Sequence, residues 1–264
     1  MAISAIVVIG IPIVLFRAFR KRCAMSVVPM LVGAAAFVVF ALGLENIVHL
    51  QVLPKYDLVH KPLLYVVYGC LMAGIFEETA RFISFHLLKK KYKGIGTGLS
   101  YGIGHGGVEA ILLAGVSMIA AIVLSLMVNS GTIGIIIDKL QGSALEAMNT
   151  QLTTLAETAS PLFLVSGLER IFAVSVQISL SVMVFYAVYS VGLRWMYPAA
   201  IVLHAVIDVP AAMMQAHVIS SVALVECIVG VEAVLVALLA VWIHKKKKHT
   251  LNLNKEIPCL NLTT

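Results

Sequence analysis

Apolar runs of membrane-spanning length recur along this 264-residue chain, separated by segments too short to fold by themselves. A bilayer core of about 30 Å takes roughly 20 apolar residues as a helix. In hydrocarbon only helices and closed barrels satisfy their own backbone polar groups. The composition agrees, with 61% of residues hydrophobic and 12% charged. The chain therefore reads as all-α, a polytopic transmembrane helical bundle. Spans are expected at about 2–16, 27–44, 63–88, 97–128, 171–191, 198–215 and 219–243. The first run has no basic residues ahead of it, so it is expected to be a span and not a cleaved leader.

The cations test that count. Arg17–Arg22, Lys89–Lys93, Arg194 and Lys245–Lys248 all flank apolar runs. Seven spans with the N-terminus out and the C-terminus in put every one of these segments on the cytoplasmic side, as the positive-inside rule requires. The other side keeps only scattered cations such as Lys55, Lys61 and Lys139. The net charge of +6 thus reflects topology and the lipid bilayer. No aromatic–basic interleaving points to nucleic acid.

Residues 1–245 are expected to form a single integral-membrane domain, followed by a short cytoplasmic tail, 246–264. Residues 129–160 form an outer amphipathic segment, in which Leu145, Met148, Leu152 and Leu155 recur at helical spacing. Cys23, Cys70, Cys227 and Cys259 are scattered, which suggests neither a disulfide framework nor a thiolate metal site.

Against this background, Glu77-Glu78-Thr79-Ala80-Arg81 is out of place in the middle of the third span. An ionisable residue in hydrocarbon costs a few kcal/mol or more and marks a working site with a partner. Two other spans carry matching pairs, His105 with Glu109 and His204 with Asp208, each four residues apart and so on one helix face. At a rise of 1.5 Å per residue, Glu78 lies about 16 Å from Lys89, and His105 about 12 Å from Thr97. His204 and Asp208 lie roughly 9 and 15 Å from Pro198. Three helices therefore bring these groups to a similar layer, in the cytoplasmic half and near the middle of the membrane.

Gly98, Gly102 and Gly106 make a small-residue ridge beside His105, suited to close approach by the third or sixth helix. Glu169-Arg170 reads as an interfacial ion pair at the entrance of the fifth span. Ser175, Gln177, Ser179 and Ser181 read as interhelical hydrogen-bonding groups, with Gln177 also placed to line a cavity.

Such a set can activate water through a carboxylate, bind a metal through His and Glu, or relay protons or ions across the membrane. No GxSxG elbow suggests a serine nucleophile. The three motifs resemble those of the CAAX-protease and bacteriocin-processing superfamily, whose usual pattern is EExxxR, FxxxH and HxxxN. Gly104-His105-Gly106-Gly107-Val108-Glu109 and the layout over residues 1–245 resemble the YhfC family of intramembrane metalloproteases. The PrsW-type pattern, EExxK, FxxxE and HxxxD, is also similar. Three positions depart from the superfamily pattern. Arg81 stands three residues after the second glutamate, Tyr101 stands in place of Phe, and Asp208 in place of Asn.

The resemblance implies an intramembrane peptidase of the bacterial cell membrane, acting on a membrane-associated protein or peptide. Glu78, aided by Glu77 and oriented with Arg81, would activate water. His105 and His204 would bind the oxyanion or a metal, oriented by Glu109 and Asp208. A metal-dependent enzyme would hold zinc or another divalent ion on His105, Glu109, His204 and Asp208; metal-free glutamate catalysis is equally open. The rival readings are a proton- or metal-coupled transporter and a non-enzymatic scaffold or immunity protein. Oligomeric state is not legible.

Overall fold

The computed structural model describes residues 1–248; the rest of the expected tail, 249–264, lies outside them. Among the described residues all regular structure is helical. Seven helices are long and apolar enough to cross a membrane: Ala2–Phe19, Val27–Lys55, Pro62–Leu88, Ile95–Asn129, Ser160–Tyr189, Met196–Gln215 and Val222–Lys247. They are called the first to seventh spans below.

Two boundaries differ from expectation, and both shifts follow from polar side chains that satisfy one another. The second span does not end at Leu44. It passes through a π-helical stretch, Val38–Glu45, and continues as α-helix over Asn46–Lys55. His49 Nε2 meets Glu45 Oε1 at 3.1 Å and His49 Nδ1 meets the Tyr68 hydroxyl at 2.9 Å. The Asn46 amide donates to the Leu42 carbonyl at 3.0 Å. With these groups paired, the helix does not have to stop. The fifth span likewise begins at Ser160, with proline in its first turn, where the missing N–H costs nothing. Glu169 and Arg170 therefore lie inside the span and bond to each other, not at its entrance.

The segment between the fourth and fifth spans contains a helix, Ser143–Glu157. Leu145, Met148, Leu152 and Leu155 are its half-buried positions, and the others are exposed. Of the cysteines, Cys70 and Cys227 are free thiols, while Cys23 is disulfide-bonded, which the scattered spacing did not suggest.

Glycines set the crossings around the site. A Cβ at Gly102 would stand 2.6 Å from the Ile178 Cα, and one at Gly106 2.7 Å from the Gln177 Cβ. The Gly98–Gly102–Gly106 ridge thus packs on the fifth span, not on the third or sixth. The third meets the sixth elsewhere, where a Cβ at Gly74 would stand 2.7 Å from the Ile201 carbonyl oxygen. Overpacking a close crossing costs about 1–3 kcal/mol. Gly102→Val is therefore expected to lower the melting temperature in detergent. Gly10→Val, where a Cβ meets nothing within 4 Å, should leave it unchanged.

Candidate functional site

Glu77, Glu78 and Arg81 lie on the inward face of the third span, and all three are buried. Each nitrogen of the Arg81 guanidinium makes a hydrogen bond. Nη1 donates to Glu78 Oε1, Nη2 donates to the Gln177 side-chain carbonyl, and Nε donates to Ser181 Oγ at 3.2 Å. Glu77 Oε2 lies 3.6 Å from Nη2. A buried cation held by carboxylate, amide and hydroxyl together has its desolvation cost offset.

The two histidines come from different helices, His105 from the fourth span and His204 from the sixth. His105 Nε2 donates to Glu77 Oε2 at 2.8 Å. The edge of the Phe37 ring and the stacked ring of Tyr101, with centroids 5.2 and 5.7 Å away, hold its plane. His204 Nδ1 donates to Glu78 Oε1 at 2.6 Å. Its Nε2 is left facing Asp208 Oδ2 at 3.5 Å and Glu77 Oε2 at 4.0 Å. A carboxylate on one ring nitrogen fixes the tautomer and frees the other nitrogen for chemistry.

Gln177 ties the halves together. Its amide nitrogen donates to Glu77 Oε2 at 3.1 Å and to Glu109 Oε2 at 2.5 Å, while its oxygen takes the Arg81 bond. The reverse orientation would set NH₂ against guanidinium and oxygen against two carboxylates, so the chemistry allows only one. Glu109 Oε1 lies 3.9 Å from Arg170 Nη1, which links Glu169-Arg170 to the site.

All seven residues singled out in the sequence therefore sit in one connected cluster, Glu109 through Gln177 and Asp208 through His204. Glu45 was missed. It is buried at the end of the π-helical stretch and lies near enough to interact electrostatically with Glu77, His204 and Asp208. Its signal was the four-residue spacing to His49, the spacing that marks the other two pairs. The role of Gln177 had no motif to announce it.

Two polar atoms in the cluster are buried without a hydrogen-bond partner among the described residues, Glu78 Oε2 and His105 Nδ1. For a metal, the residues whose ligand atoms come close enough are Glu77, His105 and Glu109, all within 4.8 Å of one another. This set differs from the four residues expected, since His204 and Asp208 face each other beside it. One imidazole and two carboxylates are a donor set that suits zinc. The two carboxylates meet over a single amide group, so a cation between them has charge to neutralise.

A seven-span bundle enclosing a buried carboxylate–histidine cluster defines an integral membrane protein with a polar site inside its helices. Residues 7–229 match the YhfC intramembrane metalloprotease family, and the chain belongs to that family. It is 38% identical over 253 residues to the "Uncharacterized membrane protein YhfC" of Bacillus subtilis (strain 168), with 94% of this chain and 95% of that protein covered. No solved structure matches.

Proposed function

We propose that the protein is an intramembrane peptidase of a bacterial cell membrane, its residues 1–245 acting as one domain. It would hydrolyse a peptide bond of a membrane-associated protein or peptide. The observation that carries this reading is the state of Glu78. One oxygen is fixed by Arg81 and His204, while the other is buried and free. That free oxygen can take a proton from an attacking water without giving up a bond. The same carboxyl can return the proton to the leaving amine. The family's description as intramembrane metalloproteases supports the assignment.

Glu77, His105 and Glu109 would hold the divalent ion, zinc by donor chemistry. When bound, such an ion supplies Lewis acidity toward a carbonyl oxygen. Gln177 orients Glu77 and Glu109 through its amide. His204, between Glu78 and Asp208, holds a proton beside the reacting groups.

Metal analysis of protein purified in detergent tests the ion separately from cleavage. Wild type is expected to retain a divalent ion in stoichiometric amount and Glu78→Gln to retain as much. Glu77→Ala, His105→Ala and Glu109→Ala should each lose most of it. Wild type that takes up no ion when supplied with zinc would set the metal aside and leave glutamate alone as the catalyst.

A further inference from the structure

The polar cluster is tightly packed toward one end of the bundle and more loosely packed toward the other. Toward the basic segments it is capped by Phe85, Tyr101 and Phe185, all fully buried. Ring centroids there lie 4.9 Å apart for Phe85–Tyr101, 5.9 Å for Phe85–Phe185 and 4.1 Å for Phe185–Tyr189. The fourth span is buried without interruption from Ile95 to Gly107, and the fifth from Ser179 to Ala187. Beyond the cluster the packing loosens. From Val116 to Asn129 only Met118 and Leu124 are buried, and in the fifth span before Val174 only Gly167 is.

Side-chain exposure along each helix follows the same direction. It rises from 0% at Glu78 to 9% at Glu77, from 0% at His105 to 12% at Glu109, and from 3% at His204 to 38% at Asp208. In each helix the more exposed member is the one farther from the basic end. Glu77 precedes Glu78 on a helix that runs toward that end. Glu109 and Asp208 each lie about 6 Å beyond their histidine, on helices that run away from it. The pair on the second span repeats the trend, from 10% at Glu45 to 24% at His49. A carboxylate as open as Asp208 would be costly against hydrocarbon, so its exposed face belongs to water.

We propose that water and substrate reach Glu77 and Glu78 through the loosely packed end of the bundle, opposite the basic segments. By the positive-inside rule that end is extracytoplasmic. The site thus lies nearer the cytoplasmic face in depth but opens to the other face. The bond cut belongs to a membrane-adjacent segment on the outer side. This last clause rests on the peptidase reading; the access route does not.

Thiol labelling tests the route without any cleavage. In a background with Cys23, Cys70, Cys227 and Cys259 all replaced by serine or alanine, single cysteines are placed at His49→Cys and Ala212→Cys toward the loosely packed end. Ser84→Cys in the tightly packed layer and Lys91→Cys at the basic end serve as references. A membrane-impermeant sulfonated maleimide is applied to intact cells and to inverted vesicles, and labelling in SDS confirms that each thiol is present. His49→Cys and Ala212→Cys are expected to label in intact cells only, Lys91→Cys in inverted vesicles only, and Ser84→Cys in neither. The route is overturned if His49→Cys and Ala212→Cys label from the same side as Lys91→Cys, or from neither side. A peptidase reading that failed on Glu78→Gln would leave the labelling pattern intact.

Discussion

Glu78→Gln is expected to lower turnover by about 10²–10⁴-fold, the usual contribution of a positioned general base. Glutamine keeps the volume and an oxygen for Arg81 and His204 but cannot take a proton from water. Because Glu78 is outside the Glu77–His105–Glu109 set, the variant should keep its metal and its helical content. Turnover is measured on peptides that span a cleaved bond, alongside metal content and a melting curve. A variant that lost metal and fold together with activity would assign Glu78 to architecture instead of catalysis.

Arg81→Met is expected to produce the largest loss of stability in the chain. The guanidinium is fully buried and serves Glu78, Gln177 and Ser181, with Glu77 close by. Removing one member of a buried charge pair costs about 3–5 kcal/mol, because the other is left without compensation. That is a large share of a net stability of roughly 5–15 kcal/mol. The double variant Arg81→Met/Glu78→Gln should recover part of the loss, since the stranded carboxylate is gone. Melting temperatures of the two single variants and the double variant in one detergent decide the matter. A double variant no more stable than Arg81→Met would mean that the pair is not coupled.

The bundle was legible because apolar length and basic flanks are strong signals in a membrane protein. The boundaries failed where ionisable residues look like helix ends. Glu45 with His49, and Glu169 with Arg170, are paired inside their spans, and pairing between side chains is invisible in a hydropathy profile. The site was legible as spacing, in Glu77-Glu78-x-x-Arg81 and in two four-residue pairs at one depth. Contact was not, because depth says nothing about which way a helix is turned. The same limit hid the partner of the glycine ridge. The fifth span approaches it and delivers Gln177 and Ser181 to Arg81. A lone amide in a serine-rich helix face carries no motif, although it contacts three of the charged groups.

The most direct measurement is a comparison of protein N-termini in membranes from cells lacking the native gene and producing wild type or Glu78→Gln at equal levels. The expected result is a set of new N-termini in membrane-associated proteins, present with wild type and absent with the variant. Identical sets of N-termini, with both proteins folded in the membrane, would contradict the assignment of this cluster as a peptidase site.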